Sequence, residues 1–217
     1  MMINTELDHL VVAASTLQEG VEYIEDLFCT RMAAGGEHAT QGTHNRLLAL
    51  SGGAYLEVIA INPDAPGPQY PRWFDLDSAA MQIQLSRKPK LITWVARSTG
   101  LSELIEKLPF NLGEIQPMAR RGFKWKMTLS KDGKLYHEGV FPLLIEWLGD
   151  AHPVDSLPDC GCELISMTGK TDDARTVRRL IELMGLQPVL DIVKIEDGSA
   201  DMLSATVRTP SGIVVLE

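Results

Sequence analysis

A histidine and a set of recurring glutamates are the residues of this chain whose types and spacing could support chemistry. His9 lies in the apolar stretch LDHLVVAAST, where it is either a hydrogen-bonded core histidine or a metal ligand or catalytic base. Roughly fifty residues later the segment AYLE ends on Glu57, and the similar segments LLIE and VVLE end on Glu146 and Glu217. Imidazole and carboxylate groups together bind zinc, iron, nickel or manganese, or transfer protons as acid and base.

These residues belong to a pattern of one strand, one helix and three strands that occurs three times in the chain. When the first strands of the repeats are aligned, Thr93 and Glu163 stand opposite His9. The sequence therefore predicts an α+β fold of repeated βαβββ modules. The predicted modules are residues 1–62, 90–150 and 162–217, separated by an irregular proline-rich connector at 63–89 and a second connector at 151–161.

The composition is that of a soluble globular protein, with 45% apolar and 23% charged residues. A net charge of -9 argues against a nucleic-acid partner, and the short basic cluster around Arg120 and Arg121 is predicted to be a solvated strand edge. Neither a signal peptide nor a membrane span is predicted. The three cysteines are an odd number and lack the spacing of a zinc site, which favours a reducing cytoplasm. The sequence has no phosphate loop and no GxGxxG motif, so no nucleotide cofactor is predicted.

Several longer stretches resemble a known family: LDHLVVAAS, GGEHATQGTHNRLLAL, YLEVIAINPD, PRWFDLD, WVARSTGL, FPLLIEW and HPVDSLPDCGCEL. They resemble the vicinal oxygen chelate superfamily, which includes the glyoxalase, bleomycin-resistance and dioxygenase folds. Within it, the chain is most similar to bacterial glyoxalase-like domains. This resemblance implies mixed sheets facing a cleft, with metal ligands on the adjacent first and last strands of each module.

The resemblance can be combined with the alternation of side chains along a strand. If the first and last strands are adjacent, His9 and Glu57 face the cleft together, while Leu10 and Leu56 pack under a helix. Together with Glu146 they would supply three donors for a divalent metal and leave positions for two adjacent substrate oxygens. Thr93 is a poor fourth ligand, so the fourth position is either empty or supplied from elsewhere, for example by His152 from a loop. A hydrogen-bonded His–carboxylate pair without a metal explains the same residues.

Other side chains are predicted to bind the ligand. Arg97 shares the face of Thr93, and its guanidinium would bind an anionic substrate or else form an internal salt bridge with Glu57 or Glu146. Trp73 either forms a lid or packs its loop onto the core. The full predicted set of ligand-contacting residues is Arg97, His38, Asn45, Tyr55, Thr93 and Trp73.

The sequence and the resemblance together favour a metal-dependent lyase, isomerase or dioxygenase that acts on a small anionic substrate with vicinal oxygens. The alternative is a non-catalytic protein that binds or sequesters a small molecule on the same fold. The third module has no partner module in the chain. It is predicted either to form a homodimer with another subunit or to complete a second, degenerate cleft.

Overall fold

A computed structural model describes residues 3–120, 122–186, 190–196 and 198–217. Within these ranges, twelve strands form two mixed sheets and four helices accompany them. The strands are β1 (Thr5–Ala13), β2 (Ala33–His38), β3 (Thr43–Leu50), β4 (Ala54–Ile61), β5 (Lys90–Ser98), β6 (Glu114–Arg120), β7 (Phe123–Leu129), β8 (Leu143–Trp147), β9 (Glu163–Thr171), β10 (Leu190–Lys194), β11 (Met202–Thr209) and β12 (Gly212–Leu216). The helices are α1 (Leu17–Phe28), α2 (Ala79–Leu85), α3 (Leu101–Lys107) and α4 (Ala174–Leu183).

The first two modules join edge to edge in one eight-stranded sheet, in the order β2-β3-β4-β1-β5-β8-β7-β6. At its centre β1 and β5 pair antiparallel, and each lies parallel to the last strand of its own module, β4 or β8. This sheet curls into a half-barrel, so its concave face encloses the cleft. The α+β fold with repeated βαβββ units is confirmed, and the predicted adjacency of first and last strands is what brings β1 beside β4.

Both faces of the large sheet are covered, which explains why β1 and β4 are apolar almost throughout. Leu10, Leu56 and Trp94 belong to the core on the convex side. Val11 and Ile59 belong to a second core on the concave side. No helix in the described ranges is both long enough and apolar enough to span a bilayer.

The third module forms a separate four-stranded sheet, in the order β10-β9-β11-β12. Its inner face packs inside the same chain, since Met167, Leu203 and Val207 share one apolar core with Trp94. It therefore covers the convex side of the large sheet without joining its hydrogen-bonded ladder. Within this module the sequence pattern predicts a strand over 189–195; it is observed over Leu190–Lys194, and Val189 itself lies outside the described residues.

The proline-rich connector is more ordered than predicted. A 3-10 turn covers Trp73–Asp75, and α2 follows, with the Ser78 hydroxyl accepting a hydrogen bond from the Met81 backbone N–H at 3.1 Å. The prediction of an irregular connector is wrong from Trp73 onward, because no proline lies between Pro71 and Pro89 and a serine N-cap precedes a helix-forming run. The 3-10 turn folds over the concave face of the large sheet.

Candidate functional site

The structure brings His9 and Glu57 together on the concave face. His9 pairs with Tyr55 across the β1–β4 ladder, and the two rings stack with centroids 4.6 Å apart. His9 Nε2 lies 3.6 Å from Glu57 Oε2, and each residue is only 5% exposed. Strand alternation and strand adjacency account for this placement of all three side chains.

Asp8 joins the site because β1 contains a bulge. The ladder with β5 pairs Leu7 with Ala96 and His9 with Val95, so Asp8 is skipped. A bulge re-aims the extra side chain, and the Asp8 carboxylate reaches His9 Nδ1 at 2.6 Å although the residues are neighbours in sequence. Sequence reasoning missed this role, because alternation assigns Asp8 to the opposite face. The available signal was a carboxylate next to a histidine within an apolar strand.

The fully buried Asp8 carboxylate is held ionised by its neighbours. Burial by itself would raise its pKa, but hydrogen bonds from His152 and His9 hold that pKa well below its usual range. Oδ2 accepts from His152 Nε2 at 3.0 Å and from Trp147 Nε1 at 2.8 Å. Since an ionised carboxylate only accepts hydrogen bonds, Nδ1 of His9 carries a proton. In the neutral ring, Nε2 therefore presents its lone pair toward Glu57.

A second network ties Glu57 to the other module. Asn45 Nδ2 donates to Glu57 Oε1, and Asn45 Oδ1 accepts from the Gly36 N–H at 2.8 Å and from Arg120 Nη1 at 2.9 Å. Arg120 Nη1 also donates to His38 Nε2 at 2.9 Å. The prediction of a solvated strand edge is wrong for Arg120, which lies at the end of β6 but crosses to β2 and β3. Arg121 lies outside the described residues.

His38 is a neutral histidine of fixed tautomer. Burial, followed by the charge of Arg120, holds the pKa of His38 well below its usual range. Because arginine can only donate, His38 Nε2 must accept. The ring proton is therefore on Nδ1, which lies 3.1 Å from the Thr43 hydroxyl. His38 thus has no free lone pair.

Aromatic rings close the cavity between these polar groups. It has room for a volume of about 20 Å³, which corresponds to about one water molecule. Trp73 meets His38 edge-on with centroids 4.8 Å apart and also lines an outer cleft of about 800 Å³ beside the segment 67–71. The rings in the cavity wall are Tyr55, Trp73, Phe74, Trp125 and Trp147. Trp147 is therefore part of the site.

The structure places Glu146 outside this cavity. On β8 it is Ile145 and Trp147 that line the cavity, while Glu146 lies between them and its carboxylate is 3.7 Å from Lys126 Nζ. The sequence match of LLIE with AYLE is therefore one residue out of structural register. A one-residue shift moves every side chain of a strand to the opposite face, so the predicted position of Glu146 in the cleft is wrong.

Arg97 and Thr93 do not line this cavity either, and both side chains make hydrogen bonds outside it. Arg97 donates to Glu6 Oε1 at 2.9 Å and to the Gly53 carbonyl oxygen at 2.8 Å, and it lies 3.8 Å from Asp8 Oδ2. The internal salt bridge is thus observed, with partners other than those predicted. The Thr93 hydroxyl donates to the carbonyl oxygen of Gly139 at 3.2 Å, beside a register shift between β5 and β1.

The side chains of the cavity do not supply the metal ligands that the predicted divalent site requires. His9 Nε2 and Glu57 Oε2 could share an ion, but Glu146 is on the other face of the sheet. The ring nitrogens of His38 and His152 nearest the site are bonded to Arg120 and Asp8. Across the described ranges, no group of three or more His, Cys, Asp or Glu side chains is arranged to bind one metal. Two protein donors are fewer than the three that catalytic sites usually provide.

The model of the glyoxalase-like domain family matches residues 7–184. The chain belongs to this family. Glyoxalase-like domains fall within the vicinal oxygen chelate superfamily, so the resemblance seen in the sequence is confirmed. No curated protein is detectably similar to this glyoxalase-like domain.

Solved structures share its fold at low sequence identity. A hypothetical protein from Staphylococcus aureus aligns with 99% of this chain and 86% of its own, at 13% identity and a TM-score of 0.55. Methylmalonyl-CoA epimerase from Mycobacterium tuberculosis aligns with 67% of this chain and 88% of its own, at 18% identity and a TM-score of 0.40. The Streptomyces coelicolor epimerase in complex with 2-nitronate-propionyl-CoA aligns with 67% and 97%, at 14% identity and a TM-score of 0.41. These likenesses concern the fold of the glyoxalase-like domain alone.

Proposed function

We propose that this glyoxalase-like domain is an isomerase or lyase that moves a proton on a small anionic molecule, with His9 as the base. The carrying observation is the contact of 2.6 Å between Asp8 Oδ1 and His9 Nδ1, which turns the opposite ring nitrogen toward the cavity. A carboxylate that fixes the tautomer of a histidine and stabilises its protonated form is a recurrent arrangement in acid–base catalysis.

The proposed step is proton abstraction from a carbon next to a carbonyl or carboxyl group. His9 Nε2 takes the proton, and the C–H electron pair forms an enolate whose charge lies on oxygen. Asp8 and Glu57 flank the resulting imidazolium and stabilise it. Return of the proton to a neighbouring atom gives an isomer, whereas departure of a group from the next carbon gives a lyase reaction.

The proposed ligand keeps the anionic charge and the two adjacent oxygens predicted from the sequence. Small 2-oxo and 2-hydroxy acids have this chemistry, and Arg120 in the cavity wall is the cation that would attract them. Because the cavity has room for only about one water molecule, such an acid would enter from the outer cleft while Trp73, which lines both spaces, moves aside. The predicted metal-dependent route, including oxygenation, would need a third protein ligand. We therefore propose the acid–base reaction, with no step through a metal.

The second candidate is a non-catalytic small-molecule binder. The observation in its favour is the wall of five aromatic rings, because such walls bind flat ligands by stacking and apolar contact alone. In that case His9 and Glu57 would only orient the ligand. The two candidates differ in whether a proton leaves carbon.

Exchange in deuterium oxide tests the proposal directly. Small 2-oxo and 2-hydroxy acids are incubated with the protein, and 1H NMR follows the loss of signal from the hydrogen next to the carbonyl or carboxyl group. We expect the wild type to accelerate exchange for at least one acid, and His9→Gln to reduce that rate by about 10²–10⁴-fold. His137→Gln is the control, because His137 lies beside Asp201 in the third module.

Saturation-transfer NMR on the same samples separates the two candidates. Binding of an acid without catalysed exchange would favour the binder and overturn the proposed enzyme. Catalysed exchange that His9→Gln leaves unchanged would remove His9 from the mechanism. Exchange lost equally in His9→Gln and His137→Gln would mean that the substitutions act through the fold.

A further inference from the structure

The outer cleft has room for most of a ligand, whereas the inner cavity does not. The cleft has a volume of about 800 Å³. Clefts of about 300–1,000 Å³ are of the size that binds drug-sized molecules. The inner cavity, with room for about 20 Å³, could enclose at most the reacting atoms of such a ligand. Trp73 lines both spaces, so the cleft is continuous with the candidate site.

Strand β6 leads from the outer cleft to the inner cavity. Glu114, Gln116 and Met118 line the cleft, and Arg120 at the end of the strand lines the cavity. These are alternate residues, so their side chains share one face of the strand, over a length of about 20 Å. A ligand with its anionic head near Arg120 would therefore have its other end beside Met118 and Gln116.

The wall of the outer cleft favours an uncharged group at that end. Among the described residues that line it, the charged side chains are Glu114 and Lys131, and they pair with each other at 3.3 Å. Tyr70 is 76% exposed, so its ring is open to a ligand. Burial of a further, unpaired charge would be costly, whereas burial of apolar groups is favourable. The apolar side chains of the wall are Tyr70, Pro71, Trp73, Pro117, Met118 and Leu129.

Trp73 has an unused hydrogen-bond donor where the two spaces meet. Its indole Nε1 is buried and has no hydrogen-bond partner among the described residues. A buried donor without a partner lowers stability. An oxygen of a ligand that passes between the cleft and the cavity would supply the acceptor that this indole lacks.

We propose that the outer cleft binds an elongated, uncharged apolar tail, so that the ligand is an acid with a hydrocarbon chain. The acidic head points toward Arg120 and the chain lies along β6, between Met118 and Tyr70. That the head reaches His9 rests on the function proposed above, whereas binding of the tail in the cleft does not.

A series of straight-chain 2-oxo acids tests the proposal through affinity alone. The protein is titrated with 2-oxobutanoate, 2-oxohexanoate and 2-oxooctanoate by calorimetry. We expect each added methylene to tighten binding by about 2- to 4-fold, so 2-oxooctanoate should bind at least about 16-fold more tightly than 2-oxobutanoate. Affinity that does not rise with chain length, or no detectable binding of any of the three acids, would overturn the proposal.

Variants of the wall locate the tail. Met118→Gln keeps the length of the side chain but makes the wall polar, and should weaken 2-oxooctanoate by about 5-fold or more and 2-oxobutanoate by less than about 2-fold. Ile213→Gln, the matched change at an exposed position of the small sheet, should leave both affinities unchanged. If Met118→Gln unfolds, Tyr70→Ser replaces it, since this residue is mostly exposed. A chain-length dependence that persists unaltered in the wall variants would place the tail elsewhere and refute the assignment.

A charged tail provides the opposite arm of the test. We expect 2-oxoglutarate to bind at least about 10-fold more weakly than 2-oxopentanoate, which has the same chain without the terminal carboxylate. Tighter binding of 2-oxoglutarate would mean that Lys131 receives an anionic tail, and would contradict the uncharged one. None of these affinities depends on proton exchange at His9, so this proposal and the proposed reaction fail separately.

Discussion

At the scale of single residues, the site depends on which ring nitrogen of each histidine carries a proton. Asp8 holds a proton on Nδ1 of His9 and leaves Nε2 facing Glu57. Arg120 does the reverse to His38, whose Nε2 must accept a hydrogen bond. The two histidines of the cavity thus differ in their hydrogen bonds: His9 donates to Asp8 through Nδ1, whereas His38 accepts from Arg120 through Nε2.

The pH dependence of stability should report on His38. Its pKa is lowered in the folded protein from the ordinary 6.5, because burial and Arg120 disfavour the charged ring. Below about pH 6.5 the His38 ring of the unfolded chain gains a proton that the folded chain does not take up. The free energy of unfolding therefore falls as the pH decreases from about 6.5. One such group contributes a slope of up to about 1.4 kcal/mol per pH unit.

Denaturant unfolding measured between about pH 7 and 5, the range in which histidines titrate, tests this expectation. His38→Gln should flatten the slope, because glutamine can accept from Arg120 without titrating. His44→Gln should flatten it less, because His44 is only half-buried. An unchanged slope in His38→Gln would contradict the assignment. The contribution of Asp8 has the same sign, since its pKa is depressed, and is lost only as pH falls below 3.8.

At the scale of elements, close approach of α1 to the large sheet positions β1 and β4. A Cβ on Gly20 would lie 2.5 Å from Val58 Cγ1 and 2.8 Å from Ala14 Cβ, so this helix position has no room for a methyl group. The helix itself is fixed at its start by Thr16, whose hydroxyl accepts from the Glu19 N–H at 3.2 Å. The glycine inside α1 is therefore explained by packing against β4, the strand that carries Glu57.

The substitution Gly20→Ala has two effects of opposite sign on the free energy of unfolding. Alanine improves helix propensity by about 1 kcal/mol, but overpacking of a close-packed contact costs about 1–3 kcal/mol, so we expect a net loss of stability. In a Val58→Ala background the closer of the two clashing methyl groups is gone while Ala14 Cβ at 2.8 Å remains, so the same substitution should cost less stability than in the wild type. Urea unfolding of the four proteins in this cycle measures the coupling. Equal effects of Gly20→Ala in both backgrounds would rule out the Val58 contact as the cause.

At the scale of the whole molecule, the two sheets are joined by one shared core. Leu203 and Met167 of the small sheet belong to the same apolar cluster as Leu10 and Trp94 of the large one. The small sheet therefore contributes to the stability of the cavity-bearing sheet without contributing a residue to the cavity. The homodimer, the bacterial origin and the cytoplasmic location stay predictions. The outer face of the small sheet does carry exposed Ile213 and Val215.

The tryptophans provide a measurement of this coupling, because all four lie in residues 1–150 and report on the large sheet. Leu203→Ala removes a buried side chain from the small sheet and should cost about 2–5 kcal/mol. If the core is shared, the free energy of unfolding obtained from tryptophan fluorescence falls by the same amount, about 2–5 kcal/mol. Thr206→Ala, on the outer face of the same strand, should shift it little. A Leu203→Ala protein whose tryptophan midpoint is unchanged would show that the sheets unfold independently.

The sequence by itself determined the order of strands and helices within each module, the repetition of the modules and the shared face of His9 and Glu57. These features follow from local periodicity, and the family resemblance supplied the strand adjacency on which the last one depends. Only the tertiary structure decided that Asp8 joins His9, that Arg120 crosses between modules and that Glu146 faces away. Each of these depends on a bulge or on a register between distant strands. Because strand alternation repeats every two residues, a shift of one residue reverses a side chain's face and leaves the local pattern unchanged.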